Sequence, residues 1–249
     1  MNKKIFNLAI LSFALIIASC KLDNYDSPTS SIYGKIIDQD SKPVQSDPSG
    51  QGVKIIYIEK GNFASPDKQS MNLKADGTFQ KGLIFPGTYD VVIRDANFPN
   101  LDTLKNFVVN AGANELNFSV QPYVYVTNLN ISKVGTLITA TFNLKTIGSN
   151  VVGVERVQLF SYIDPIVGFG AKFATQPSTA GLLVLNKVPL TTETFTLSID
   201  LALQGNTFTK YPTSTMFWFR VGALVRKTDA TAGSNPKWNY SPPIQLGIN

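Results

Sequence analysis

Asp76-Gly77-Thr78-Phe79-Gln80-Lys81-Gly82-Leu83-Ile84-Phe85-Pro86-Gly87-Thr88-Tyr89-Asp90-Val91 is the stretch that decides the class of fold. Asp-Gly between alternating apolar and polar residues is a tight hairpin signal, because the turn needs positive φ and glycine takes it without a clash. Pro86-Gly87 sets the next corner. A period of two means antiparallel strands with one face buried, so Phe79, Leu83, Tyr89 and Val91 are expected to fill the space between two sheets.

The same period extends in both directions. Ile32, Gly34 and Ile36 alternate with Tyr33, Lys35 and Ile37; Val53, Ile55 and Tyr57 make another row, as do Leu116, Phe118 and Val120. After the junction Val120-Gln121-Pro122-Tyr123 the strands lengthen. Pro122 cannot donate to a ladder and suits a short, stiff linker. Ile138, Ala140, Phe142 and Leu144 share one face; Val157, Leu159 and Ile163 share another. Phe195, Leu197, Ile199 and Leu201 form a third row, and Phe217, Phe219, Val221, Ala223 and Val225 a fourth. The chain closes on Ile244, Leu246 and Ile248 after Ser241-Pro242-Pro243. No helical period intervenes, so the expectation is an all-β chain of two tandem β-sandwiches. With 43% hydrophobic residues over 249, both can bury a core.

Tyr33-Gly34-Lys35-Ile36-Ile37-Asp38, Lys42-Pro43-Val44 and Gly52-Val53-Lys54-Ile55, followed by the Asp76–Val91 segment, resemble a carboxypeptidase-regulatory-like domain. That resemblance implies a transthyretin-like, seven-stranded sandwich without catalytic residues. Phe217 to Val225 and the proline-led closing strand resemble the end of a fibronectin type III or immunoglobulin-like domain. Phe217 stands where that fold often has a tyrosine, so a tyrosine-corner hydrogen bond is not available there.

The N-terminus carries an address. Lys3 and Lys4 precede an apolar run from Ile5 to Ile17, too short for a spanning helix, which needs roughly 20 residues, and typical of a signal peptide. Ile17-Ala18-Ser19-Cys20 resembles a bacterial lipobox, which implies diacylation of Cys20. A lysine after that cysteine, with acidic residues close behind, resembles the export signal of Bacteroidota-type surface lipoproteins, although Leu22 interrupts it. The expected plan is a leader over 1–19, a lipidated tether over 20–30, a first sandwich over 31–120 and a second over 123–249. The expected location is the outer membrane, lipid-anchored and exposed at the cell surface. Taken together, these features resemble two-domain lipoproteins of unknown function encoded beside the receptor and glycan-capturing lipoprotein of starch-utilisation-type (polysaccharide utilisation) systems. That resemblance implies neighbourhood and location, with a complex of the outer-membrane receptor and glycan-capturing lipoprotein as the candidate partner.

Composition removes many chemistries. The chain has no histidine, so hydrolytic triads and histidine-ligated metal sites are excluded. Its one cysteine, Cys20, is assigned to the lipid, which leaves no intrachain disulfide. Of 22 basic and 17 acidic side chains, loss of Lys3 and Lys4 with the leader would leave 20 against 17. The basic residues are scattered, so no nucleic-acid face is expected.

Candidate sites are few. Asp38, Asp40 and Asp47 in the loop 38–52 invite a calcium reading, but an EF-hand wants glycine and an acid where Pro43 and Ser49 stand. The loop is therefore read as solvated and without metal. Asp102-Thr103-Leu104 resembles the O-glycosylation acceptor of the same bacterial group, on Thr103. Gly168-Phe169-Gly170-Ala171-Lys172 lacks the third glycine of a phosphate loop, Phe173 standing in its place, and reads as a mobile loop. Glu155, Asp164, Glu193 and Asp200 form no recognisable acid/base pair.

In an immunoglobulin-like sandwich the strands around Val157 and Val221 are neighbours. Their outward rows are Arg156, Gln158, Phe160, Tyr162 and Met216, Trp218, Arg220, with Trp238 and Tyr240 just before the final strand. Sugars stack C–H faces on aromatic rings, so Phe160, Tyr162, Trp218, Arg220, Trp238 and Tyr240 form a candidate glycan platform. The bland alternative packs these rings against the first domain or over a sheet face, and a further one puts them in contact with a partner protein. The reading is a non-catalytic, lipid-anchored accessory glycan-binding protein that needs no cofactor and takes a polysaccharide or oligosaccharide ligand. Alternatives are a structural spacer between envelope proteins and, less favoured, a carboxylate glycosidase.

Overall fold

The computed structural model describes residues 27–61, 65–146, 153–211, 216–225 and 237–248. The leader, Cys20 and most of the tether lie outside the described residues. Among the described residues, regular structure is strands plus one 3-10 turn.

In the first half the strands are β1 (Ser30–Ile37), β2 (Lys54–Lys60), β3 (Lys68–Asn72), β4 (Thr78–Ile84), β5 (Gly87–Arg94), β6 (Leu104–Val109), β7 (Gly112–Glu115) and β8 (Phe118–Ser119). One sheet runs β4-β1-β7, with β8 also on β1; the other runs β3-β2-β5-β6. Both β7 and β8 lie parallel to β1, so they are one strand position interrupted at Leu116. Gly34 permits the close crossing at this point, because a Cβ there would overlap the Leu116 carbonyl. Ile32, Ile36, Ile55, Tyr57, Phe79, Tyr89 and Val91 fill the core between the sheets.

Leu83 does not join them. It is 81% exposed, and Ile84 takes the buried place instead at 3%. The pairing of β1 with β4 shifts register between Ser30 and Ile32, and Leu83 sits at φ 58°. A bulge of this kind turns the following side chain to the opposite face.

The second half contains β9 (Val124–Val134), β10 (Leu137–Thr146), β11 (Val154–Tyr162), β12 (Leu182–Lys187), β13 (Thr194–Asp200), β14 (Met216–Val225), β15 (Lys237–Tyr240) and β16 (Ile244–Gly247). Its sheets run β13-β10-β9 and β12-β11-β14-β15, with β16 also on β14. The chain changes sheet between β10 and β11, between β12 and β13 and between β13 and β14, as in immunoglobulin-like sandwiches. The expected inward rows meet: Ile138, Phe142 and Leu144 pack with Val157, Leu159, Phe217, Phe219 and Val221. β15 and β16 pair with the two ends of β14 and are separated at Ser241-Pro242-Pro243. Neither proline has an N–H to give, which is where a ladder breaks. The chain is all-β, in two tandem sandwiches.

Candidate functional site

Arg220 stands opposite that break, on the outward row of β14, and is 0% exposed. Its guanidinium is held by carbonyls from both sandwiches. Nε donates to Ser241 O at 2.6 Å, and Nη1 donates to Ser46 O at 2.8 Å and Val167 O at 3.2 Å. Nη2 donates to Gln45 Oε1 at 3.2 Å. The cation also lies 4.3 Å from the centre of the Tyr240 ring. Burial lowers the pKa of Arg220 to about 10, while Tyr240 and Asp47 pull it back up. A buried charge of this kind persists only because its donors are answered.

Asp47 forms the other pole. One of its oxygens accepts from Gly170 N–H at 2.8 Å and from the Tyr240 hydroxyl at 3.2 Å; the other accepts from Ser49 N–H at 2.9 Å. The Phe169 amide donates to the Tyr240 oxygen at 3.1 Å. Burial, reinforced by the Asp47 charge, raises the Tyr240 phenol well above its ordinary range, so it stays protonated. Lys172 donates to Phe169 O at 2.6 Å and rides over the Phe169 ring; burial lowers its pKa, partly offset by Asp47. Asn97 adds a further tie from the first domain, donating to Trp238 O at 3.2 Å and Gln45 O at 2.9 Å.

Several sequence expectations change here. The strands around Val157 and Val221 are neighbours, and Phe160 pairs with Arg220 and Tyr162 with Trp218, as the outward rows required. An open platform of all six residues does not form. Phe160, Arg220, Trp238 and Tyr240 are 1%, 0%, 3% and 7% exposed, because the first-domain loop 38–52 and the loop 165–173 cover them. Trp238 lies against Phe160 edge-on and stacks with Phe169. Only Tyr162 and Trp218 remain half-buried, in one row with the exposed Gln245 of β16.

The loop 38–52 is not simply solvated: Asp38, Val44, Ser46 and Asp47 are buried. Gly168-Phe169-Gly170 is a docked element and not a mobile loop. A Cβ on Gly170 would overlap Ser49, and one on Gly168 would come within 2.9 Å of Asp47 Oδ2. The sequence singles out Asp47 and these glycines for other chemistries and does not pair them; the Gly-Phe-Gly spacing is the available signal of close backbone approach. Trp238 Nε1 and Asn97 Oδ1 have no hydrogen-bond partner among the described residues, and both residues line a void of about 10 Å³, close to what one water needs.

The four carboxylates considered for catalysis do structural work. Asp164 accepts from the Ile166 amide, Asp200 caps the 3-10 turn, Glu193 pairs with Lys187, and Glu155 lies 3.8 Å from Arg156. Among the described residues, no group of three acidic or thiol side chains is placed to hold a metal. Thr103 is exposed in the segment leading into β6. Beside the seam, a cleft of about 270 Å³ opens between the sandwiches, lined on one side by Asp38 and Lys42 and on the other by Tyr125 and Thr127.

Residues 30–121 match the DUF3823 N-terminal domain, described as a protein of unknown function, and residues 124–244 match DUF3823_C, described as a domain of unknown function. No curated protein matches the chain. Among solved structures, a Bacteroides uniformis protein described as a candidate carbohydrate binding protein is 29% identical. The similarity spans 88% of this chain and 99% of that one, with a TM-score of 0.77. Two DUF3823 family proteins, from Bacteroides uniformis and Parabacteroides merdae, have the same fold at 21% and 23% identity. Each alignment covers 89% of this chain and 100% of theirs, with TM-scores of 0.70 and 0.66. With both of its domains present in order, the chain belongs to the DUF3823 family.

Proposed function

We propose that this chain is a lipid-anchored carbohydrate-binding protein of the cell surface, serving an outer-membrane glycan-uptake complex without catalysing a reaction. The observation that carries the reading is the Tyr162–Trp218–Gln245 row. Two adjacent aromatic side chains, both partly open to solvent, lie beside an exposed amide on a rigid sheet. Aromatic faces accept the C–H patches of a sugar ring, and the amide can bond its hydroxyls. The 29% identical Bacteroides uniformis relative, described as a candidate carbohydrate binding protein, supports the same class of ligand. Attachment through Cys20 and glycosylation of Thr103 belong to this proposal and rest on the sequence.

The test is retention on polysaccharide affinity gels. Wild type is expected to be retarded and Trp218→Ala to run freely; equal mobility of the two on every gel would remove the platform. A Cys20→Ala variant is expected to leave the envelope fraction.

A second reading, a spacer between envelope proteins, is favoured by one observation. Arg220, Trp238 and Asp47 are buried where the sandwiches meet, which joins them in a fixed relation. On that reading no gel retards the protein, and envelope partners co-purify with it.

A further inference from the structure

The cleft between the sandwiches does not involve the Trp218 row: neither Tyr162, Trp218 nor Gln245 lines it. Both domains build it. Asp38, Lys42 and Gln45 come from the loop after β1, and Tyr125 and Thr127 come from β9. Asp38 is only 4% exposed; one of its oxygens accepts the amides of Asp40 at 2.9 Å and Lys42 at 2.8 Å. The Tyr125 phenol interacts with the same carboxylate; burial first, then the charges of Asp38 and Asp40, raise its pKa to about 12. The phenol therefore stays protonated at any physiological pH. Lys42 is exposed at the rim. Pro43, Pro122 and Pro242 supply apolar surface.

We infer that this cleft is a second carbohydrate subsite, taking one ring of a neutral sugar. The ring's hydroxyls bond Asp38, Tyr125, Lys42 and Gln45, while the prolines cover its C–H faces. The class of ligand rests on the carbohydrate reading; the residues are a separate set. Neutrality follows from the lining, where the buried Asp38 carboxylate in the wall and the Lys42 ammonium at the rim offset each other and favour neither an anion nor a cation. Hydroxyls suit such a lining because each both donates and accepts. The size follows from the volume: about 270 Å³ lies just under the ~300–1,000 Å³ of sites for drug-sized ligands, enough for a small polar ring. Domain interfaces are also where such pockets concentrate.

The experiment uses the mature chain, with glucose, galactose, mannose, xylose, arabinose, maltose and cellobiose at millimolar concentration as probes. Binding is read by saturation-transfer NMR and calorimetry. At least one sugar is expected to bind wild type. Tyr125→Phe, which keeps the ring, and Lys42→Ala, which alters only an exposed side chain, are each expected to weaken it about ten-fold. Retardation of wild type on polysaccharide gels, lost in Trp218→Ala, reads the other site in parallel. If gels retard wild type but no probe binds, or if both cleft variants bind as wild type does, the cleft inference fails and the carbohydrate reading stands. If neither gels nor probes detect binding, both fail.

Discussion

Asp47 answers the Gly170 amide, the Tyr240 hydroxyl and the Ser49 amide in a place closed to solvent. Removing its carboxylate strands these donors and takes away the anion facing the Arg220 guanidinium. A buried donor left unsatisfied costs about 1–3 kcal/mol, so Asp47→Ala is expected to destabilise the protein by about 3 kcal/mol or more. Asp47→Asn keeps an acceptor oxygen and should lose less. Denaturant unfolding of the three proteins checks the order, and equal midpoints would mean that the seam carries little stability. Asp47 is a loop aspartate whose role could not be read locally. Apart from Ser49, its partners lie 123 and 193 residues away, and no pattern around Asp47 predicts them.

At the level of the strand, β4 separates what alternation can and cannot say. The alternation correctly buries Phe79, yet it also places Leu83 inside, where the bulge has turned it out. A left-handed backbone costs a residue with a Cβ about 1–2 kcal/mol, and asparagine tolerates it better. Leu83→Asn is therefore expected to be neutral or stabilising by up to about 1 kcal/mol, whereas Ile84→Ala should lose about 2–5 kcal/mol. Thermal melts of the two variants would decide it; a large loss at Leu83 would contradict the bulge. β14 shows the complementary limit. Its inward row was legible from the 217–225 alternation, but most of its outward row is buried too, from Arg220 onward. Alternation reports that two faces differ. It does not report that another domain covers the second one.

The whole molecule has a characteristic response to alkali. Burial is the leading cause that raises the phenols of Tyr89 and Tyr125 from the ordinary 10.0 to about 12, and it raises Tyr240 as well. Above pH 10 the unfolded chain releases these protons while the folded chain keeps them. Fewer protons are then bound when unfolded, so stability that is complete below pH 10 is lost as pH rises toward 12. Arg220 acts in the opposite sense. Its pKa falls from the ordinary arginine range to about 10, so the unfolded chain holds its proton longer and stability rises over the same range. Burial raises the Tyr57 phenol and lowers the Lys172 ammonium as well, so four phenols stand against two cations, and the melting temperature is expected to fall between pH 10 and 12. Tyr240→Phe should make that fall shallower; an unchanged slope would show that Tyr240 ionises freely in the folded protein. Because Tyr240 lies in the seam, its ionisation loosens the two sandwiches from one another as well as the second one alone.

Sequence by itself determined the all-β class, the two sandwiches, the inward rows apart from Leu83, and the pairing of the Phe160 and Tyr162 strand with that of Trp218 and Arg220. These follow from local periodicity and turn chemistry, which act over a few residues and leave their mark in the chain. Only the tertiary structure decided which outward residues meet solvent. Phe160, Arg220, Trp238 and Tyr240 have the composition of a sugar-binding surface, yet two loops distant in sequence cover them. Burial depends on what a folded neighbour brings across a gap, and that geometry has no local signature.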